Sequence, residues 1–287
     1  MKTYSDNSNI IIALLTALVT YLFSWQEIID IQATIRDGLK IAAHISFIGF
    51  IVMVIVSVYL NWGSILLAIN CGVLHLRGIP IRFSMAYLYI IEIEGKYLLV
   101  KNSNFDHYQL VGGKYKVYDQ GKHQLKELGV SDDRVMDTGG VAKDDLAKFV
   151  PAKNALKFLN WFKSGQNREV SHWREFYEEL LSEACPFLSK DKFRYVDYCL
   201  ESTVITPIKT TPEWGCSEIL SFDILKLIPT SEQESELKQL FLEGNNDRIK
   251  WVDRNLIDNL GWNSQDREIP FRIGSHTKWA LDGKYTK

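Results

Sequence analysis

Cysteine is scarce in this sequence and a net positive charge is absent, and each of these features excludes a class of protein. The 287 residues include only four cysteines (Cys71, Cys185, Cys199 and Cys216), with no CxxC pair among them. Scattered single cysteines argue against a zinc site or a disulfide framework, and they fit a reducing compartment. The formal net charge is −2, so the chain is not expected to bind a nucleic acid polymer.

Charged residues are missing altogether from one long apolar stretch. Residues 41–60 contain no Asp, Glu, Lys or Arg, and a helix of about 20 residues spans the ~30 Å hydrocarbon core of a bilayer. An earlier apolar run, about residues 10–26, is slightly shorter and carries Tyr21 and Trp25, which suit the aromatic belt of a membrane interface. The sequence therefore predicts two membrane spans, about 10–26 and 41–61. The alternatives for the first run are a cleaved signal peptide, which the bulky Phe23-Ser24-Trp25 makes a poor fit, and a buried soluble helix.

A short polar segment, residues 26–40, separates the two predicted spans and would place both of their outer ends on one side of the membrane. Residues 1–76 are therefore predicted to form an α-helical transmembrane hairpin. The apolar stretch at residues 64–76 either extends the second helix or lies along the membrane interface, and the sequence leaves both open. A small excess of basic residues points to cytoplasmic ends: Lys2, Arg77 and Arg82 against Arg36 and Lys40 in the loop.

From residue 84 onward the pattern changes to that of a soluble α/β domain. Alternating and β-branched runs predict strands before and after a mostly helical block at Asp144–Cys185. This order predicts a mixed sheet sandwiched by helices over residues 84–287. The predicted strands lie in 86–102, 108–119, 196–208 and 218–229, and a last amphipathic helix is predicted over 247–260.

Three glutamates lie close together within the helical block. Glu175, Glu178 and Glu179 are related by i, i+3 and i+4 spacing, so they share one helix face. Like charges at this spacing cost a few tenths of a kcal/mol per pair, about 0.2–0.5 kcal/mol. A hard divalent cation, Mg²⁺ or Mn²⁺, takes oxygen ligands and would turn that cost into a gain. The alternative is a solvated acidic face.

The surroundings of these glutamates resemble a known motif. Residues 174–179 (REFYEE) resemble the REUxEE core of the Nudix box, and residues 108–113 (YQLVGG) resemble the strand and diglycine turn that precede it. The resemblance implies an α/β Nudix-like domain in which Glu178 and Glu179 bind the metal and Glu175 assists. It also implies that Arg174 holds the glutamates, and that Gly112 and Gly113 let the backbone approach a ligand phosphate.

Other positions depart from the Nudix box. Its upstream acidic position falls on Gln166 and its two glycines fall on Asn160 and Leu181. Glu169 lies nearby, at the wrong spacing to fill the acidic position. Ligand binding in this cleft is therefore expected, whereas efficient hydrolysis is not.

The segment before the box gives a second resemblance. Residues 144–180 are similar to the Nudix variant of the bacterial cyclic-oligonucleotide antiphage systems called CBASS, through Asp145-Leu146, Phe149, Pro151 and Trp161-Phe162. The resemblance implies an effector that senses a cyclic oligonucleotide or cyclic dinucleotide made by a partner CD-NTase. It further implies a multi-pass inner-membrane protein with a cytoplasmic C-terminal domain. Its hairpins would assemble as a homo-oligomer and disrupt the lipid bilayer, causing abortive infection.

Two other functions remain open on the sequence: a membrane-anchored Nudix hydrolase for nucleoside diphosphate derivatives, and a scaffold that recruits a partner. Trp214 and Trp262 could stack on a base, although burial in the core is the ordinary role of tryptophan. Four histidines are expected at the surface: His107, His123, His172 and His276. Arg272 and Lys278 are expected in a solvated C-terminal tail that could bind phosphate.

Overall fold

The computed structural model describes residues 16–17, 20, 33–136, 139–211 and 214–286, apart from the side chains of 33–37 and 141. The chain divides into two compact units, Met1–Ile69 and Asn70–Lys287. Apart from residues 16, 17 and 20, the first predicted span, about residues 10–26, lies outside the described residues.

The first long helix, α1 (Ala33–Leu60), contains the second predicted span. Its segment Gly38–Leu60 has 23 residues and a mean hydropathy of 2.5, so it is long and apolar enough to cross a membrane. The polar loop predicted over residues 26–40 is wrong in its second half, because the helix already begins at Ala33. The second half of this segment contains Ala, Arg, Leu and Lys residues, which are good helix formers. The helix therefore extends into the polar segment.

The apolar stretch that follows is also helical. Helix α2 (Trp62–Leu76) starts one residue after α1 ends. Backbone hydrogen bonds of the i to i−4 type continue through the junction, from Asn61 N to Ser57 O (3.0 Å) and from Ile65 N to Asn61 O (2.9 Å). The stretch is therefore helical and follows α1 without a break in hydrogen bonding. Both positions that the sequence leaves open for it, an extension of the span and a place along the membrane interface, stay predictions.

The second unit is a mixed α/β domain built on one ten-stranded sheet. Its strands are β1 (Ile81–Ile90), β2 (Glu92–Ile93), β3 (Lys96–Lys101), β4 (Tyr108–Lys114), β5 (Ser131–Asp132), β6 (Ala147–Val150), β7 (Asp197–Ile205), β8 (Lys209–Thr210), β9 (Ser217–Ile228) and β10 (Ile249–Asp253). Its helices are α3 (Asp119–Glu127), α4 (Ala155–Ser164), α5 (Trp173–Leu180), α6 (Ser231–Glu243), α7 (Arg254–Asp258) and α8 (Ser275–Asp282).

Strand β1 is the centre of the sheet. Along one edge it pairs in parallel with β9, from Ile81 opposite Ser217 to Ile90 opposite Lys226. The other edge is shared by two antiparallel neighbours, β6 on its first half and β4 on its second half. All ten residues of β1 are buried, as expected for a strand covered on both faces.

The two faces of β1 pack against different helices. Ala86 and Leu88 belong to a core cluster that also contains Trp279 of α8. On the opposite face, the Tyr89 ring lies 5.4 Å from the Phe176 ring of α5. The alternation of side chains along the strand thus places the sheet between helices, which confirms the mixed α/β fold predicted from the sequence.

Two predictions at the C-terminal end are wrong. The helix predicted over residues 247–260 is divided, because Ile249–Asp253 forms strand β10 beside β3 and only Arg254–Asp258 is helical. The Asp253 side chain accepts a hydrogen bond from Leu256 N (2.9 Å) and so caps the short helix. The expected solvated tail is instead helix α8, in which Lys278 donates to Asp258 O at 3.2 Å.

Three features of the second unit were not predicted from the sequence. The block predicted as mostly helical includes strand β6, which pairs with β1. Helix α6 is stabilised by a capping box between Thr230 and Gln233. Strand β1 begins at Ile81, three residues before the predicted domain start at Ser84.

Candidate functional site

Helix α5 carries the acidic side chains and is oriented by its apolar face. Phe176 and Leu180, four residues apart, are fully buried against the sheet, and this packing directs the glutamates away from the sheet's core. The backbone N–H of Glu175 donates to the Tyr87 hydroxyl of β1 (3.2 Å). The helix begins after His172 and is therefore anchored to the central strand in its first turn.

Gly112 and Gly113 lie within strand β4, paired with β1, where the motif resemblance predicted a turn, and they bring the backbone against this helix. A Cβ atom on Gly112 would lie 2.1 Å from the Tyr87 carbonyl oxygen, and one on Gly113 would lie 2.3 Å from the Glu175 carboxyl carbon. Gly112 also has a positive φ of 145°, which other residues rarely adopt. The Gly112 N–H donates to Glu179 Oε2 at 2.7 Å, so the diglycine segment of β4 and the helix form one site.

Arg174 is the centre of the charge network. Its guanidinium lies 2.6 Å from Glu175 Oε1 and 3.3 Å from Glu178 Oε2. It also donates to the Lys114 carbonyl at 2.6 Å, which ties the helix to strand β4. Arg174 therefore holds two of the three glutamates, in the role that the motif resemblance implied for it.

The upstream acid of the site is Glu169, at a position that the motif spacing does not select. Its carboxylate is buried, binds Arg174 Nε at 3.1 Å and accepts from Lys116 N at 3.0 Å. Gln166, which occupies the acidic position by counting, is exposed. In the sequence, Glu169 lies near the acidic position of the Nudix box but does not have the spacing that the motif requires. The chain between Gln166 and Arg174 is not helical, so helix periodicity does not determine which side chain reaches the arginine.

Burial controls the electrostatics of the two inner glutamates. It raises the pKa of Glu175 to about 7, Arg174 opposes this rise, and repulsion from Glu178 adds to it. Burial, with repulsion from Glu175, also raises the pKa of Glu179 well above its ordinary value. About half of Glu175 is therefore protonated near pH 7 when no cation is present, and burial favours the protonated form of Glu179.

The donor types suit a hard cation, but their arrangement does not form a metal site. Within the described ranges, no group of three His, Cys, Asp or Glu side chains is placed to hold a metal ion. Glu175 and Glu178 are directed to Arg174, and Glu179 accepts from the Gly112 N–H. The predicted binding of Mg²⁺ or Mn²⁺ by Glu175, Glu178 and Glu179 thus stays a prediction.

The acidic helix and the diglycine segment of β4 line a large cavity of about 1210 Å³. The cavity also reaches the start of β1, where Arg82 pairs with two buried carboxylates, Asp133 (2.6 Å) and Glu218. Drug-sized ligands occupy sites of about 300–1,000 Å³. The cavity can therefore hold a ligand larger than a single nucleotide.

The comparison with known families agrees with this geometry. A model of the SMODS-associated NUDIX domain matches residues 80–281, which is more than half of the chain. The chain belongs to this family. The match begins one residue before β1 and ends within α8, so it covers the whole sheet. No curated protein and no solved structure matches the chain.

As a SMODS-associated NUDIX domain, the second unit has a CBASS-type context. The structure brings together all six residues predicted from the motif: Gly112, Gly113, Arg174, Glu175, Glu178 and Glu179 all line the cavity. Their predicted roles toward a ligand or metal stay predictions, because the structure contains neither.

Several residues that line the cavity of about 1210 Å³ were not predicted from the sequence. In the sequence, Arg82 contributes only to the predicted membrane topology, as a basic residue beside the span. Phe105 and Arg248 are isolated residues in loops, and such residues follow no periodic pattern that would identify them. His107 and His276 were expected at the surface but line the cavity. Burial lowers the pKa of both, that of His276 to about 3, so they are neutral at pH 7.

Proposed function

We propose that this protein is an effector of a CBASS antiphage system, in which the Nudix domain binds a cyclic nucleotide made by a partner CD-NTase. One observation supports this more than any other: the Nudix helix and the aromatic rings of Phe105 and Trp214 line the same cavity of about 1210 Å³. A cyclic oligonucleotide or cyclic dinucleotide offers both phosphates and bases to such a cavity.

The charge network of the site favours binding over hydrolysis. Metal-dependent Nudix chemistry needs several carboxylates directed at one cation, since the cation activates water and offsets phosphate charge. Here Arg174 is directed to Glu169, Glu175 and Glu178. The ligand is therefore expected to leave the site chemically unchanged.

This expectation is tested by titrating the full chain in lipid nanodiscs with a panel of cyclic di- and trinucleotides. Chromatography after long incubation with Mg²⁺ or Mn²⁺ then shows whether the bound ligand is intact. Saturable binding with an intact ligand supports the sensor. Absence of binding across the panel would contradict it.

A second candidate function is hydrolysis of a nucleoside diphosphate derivative. The observation in its favour is the pKa of Glu175, which burial raises to about 7 and which therefore suits a general acid or base at neutral pH. Multiple turnover in the same assay, lost in both Glu178→Gln and Glu179→Gln, would establish the hydrolase and refute the sensor.

In the proposed topology, residues 1–76 form a two-span hairpin in the bacterial inner membrane, with the C-terminal domain in the cytoplasm. The exposed apolar helix Gly38–Leu60 supports one of these spans. A reporter fused to the C-terminus should read cytoplasmic. A periplasmic result would contradict both the topology and the link to a cytosolic signal.

Membrane disruption would require several protomers, because two helices cannot enclose a wide aqueous path. Ala42, Ser46 and Gly49 lie on one exposed side of α1, and small residues let helices approach closely. A side chain at Gly49 would meet nothing within 4 Å, so Gly49→Leu fits the protomer and alters only its outer surface. Ligand-driven association of the domains would raise the local concentration of the hairpins and so favour their assembly as a homo-oligomer.

Dye release from proteoliposomes tests this step. Release is expected only with both the hairpin and the cyclic nucleotide present, and Gly49→Leu should reduce it while leaving ligand affinity unchanged. Ile51→Leu, an exposed position on a different side of α1, is the matched control. If the ligand binds but the vesicles stay sealed and the protein stays monomeric, the scaffold function replaces membrane disruption.

A further inference from the structure

Two loops place aromatic rings in the cavity that the Nudix helix also lines. Phe105 comes from the loop between β3 and β4, and Trp214 comes from the loop between β8 and β9; both line the cavity. Their ring centroids are 6.2 Å apart, and the ring planes are inclined by 39°.

The Phe105 loop is fixed by its own hydrogen bonds. The Asn102 side-chain oxygen accepts from the backbone N–H of Asn104 (2.8 Å) and of Phe105 (2.9 Å). The Asn102 amide in turn donates to Gln109 Oε1 (2.7 Å) on strand β4. The Phe105 ring is thus presented by an ordered loop, although 42% of its surface is exposed.

Each ring is supported by a neighbour. The Arg82 guanidinium lies 5.0 Å from the centre of the Trp214 ring and is itself held by buried Asp133 and Glu218. The His107 ring lies nearly parallel to Phe105, with centroids 5.7 Å apart. Supported rings that keep exposed surface in a cavity are able to stack on a planar ligand without reorganising.

The same cavity contains one cation, Arg248, that has no anionic partner among the described residues. Of its lysines and arginines, Arg82, Lys101, Lys114 and Arg174 each pair with a carboxylate. For Arg248, no described carboxylate lies within salt-bridge distance; it contacts the Ala184 carbonyl (3.5 Å) and Cys185 Sγ (3.0 Å). Its guanidinium is therefore available to a phosphate.

We propose that Phe105 and Trp214 form a nucleobase-stacking subsite and that Arg248 contacts a phosphate of the same ligand. This inference rests on the proposed function in one respect, namely that the ligand is a nucleotide. Aromatic stacking accepts any base, because every base has a π-face. The subsite therefore predicts a preference for nucleotides over sugar phosphates without strict base identity.

The test uses the full chain in nanodiscs and three small probes: AMP, GMP and ribose 5-phosphate. Wild type should bind AMP and GMP more tightly than ribose 5-phosphate. Stacking on an aromatic ring contributes about 5- to 150-fold in affinity. Phe105→Leu and Trp214→Leu should therefore each lower the affinity for AMP and GMP by a factor in this range. Binding of ribose 5-phosphate should not change. Arg248→Gln should weaken all three probes.

Matched variants control for side effects of substitution. Phe105→Tyr keeps the ring and should bind AMP like wild type. Trp262→Leu removes a partly exposed tryptophan outside the cavity lining and should also have no effect. Thermal melting of every variant verifies folding, and Phe105 in its exposed loop provides a readout even if Trp214→Leu unfolds the domain.

The outcomes separate this subsite from the proposed function. Ring-dependent AMP binding without binding of any cyclic nucleotide supports the subsite and contradicts the sensor. Cyclic nucleotide binding that is unchanged in Phe105→Leu and Trp214→Leu overturns the subsite and leaves the sensor standing. Equal affinity of wild type for AMP and ribose 5-phosphate, or no binding of any probe, also overturns it.

Discussion

Replacement of Glu175 by glutamine should stabilise the domain at pH 8. The carboxyl group is 14% exposed and lies 2.6 Å from Arg174, yet burial raises its pKa to about 7. The ion pair thus recovers only part of the cost of removing the carboxylate from water. Glutamine keeps the size and the hydrogen-bonding oxygen of the side chain but carries no charge. The free-energy cost of removing a carboxylate from water should therefore disappear.

The sign and size follow from proton linkage. Because the folded-state pKa is raised above the ordinary value of 4.5 to about 7, the folded domain binds more protons than the unfolded chain between these values. The free energy of unfolding therefore falls as the pH rises through this window, by about 3 kcal/mol in total. Glu175→Gln should match wild type below pH 4.5 and exceed it by up to this amount above pH 7.

Urea unfolding of a fragment comprising residues 78–287 measures this difference at pH values from 4 to 8. In thermal melts, about 3 kcal/mol corresponds to a shift of about 6–12 °C for a domain of this size. Glu178→Gln is the matched control, since that side chain is 38% exposed and should give less than about 0.5 kcal/mol. A Glu175→Gln variant that is less stable than wild type at pH 8, or a difference that does not vary with pH, would refute the reasoning.

Three further predictions follow from the same structure. Glu169→Gln removes one of the three carboxylates that Arg174 contacts and should cost about 1–3 kcal/mol in urea unfolding, whereas the exposed Gln166→Glu should change stability by less than about 0.5 kcal/mol. Gly113→Ala places a Cβ 2.3 Å from the Glu175 carboxyl carbon and should cost about 1–3 kcal/mol; an unchanged melting temperature would contradict this contact. After a carbonate wash the full chain should stay in the membrane fraction and the fragment 78–287 should be released, and release of both would contradict the membrane anchor.

The sequence predicted the parts of the fold whose signal is periodic. Strands such as β3 and β9 alternate or are rich in β-branched residues, and the apolar helix at 38–60 contains no charge in its last 20 residues. The error at 247–260 has a physical reason: Ile249, Val252 and Ile257 fit a helical spacing, but pairing with β3 holds the first half as a strand. Propensity is a weak prior when tertiary contacts compete with it.

The candidate site was predicted where residues are fixed within one element. Arg174 and the glutamates lie within about two turns of one helix, so their spacing in the sequence defines their relative positions in space. The cavity walls could not be predicted in this way, because Phe105, Trp214 and Arg248 come from three separate loops. Their meeting depends on the order of strands in the sheet, and local sequence patterns carry no information about that order.

The central position of β1 has a consequence for the synthesis of the chain. Arg82 on β1 and its partner Glu218 on β9 are separated by 136 residues, which a ribosome adds in about 7–27 s at 5–20 residues per second. During this interval β4 and β6 can cover one edge of β1, while the edge that will receive β9 has no partner. An apolar helix precedes β1 and leaves the ribosome first, and β1 follows it with an open strand edge. Unpaired edges promote aggregation, and the time between the emergence of β1 and of β9 is therefore when the nascent protein most needs a chaperone.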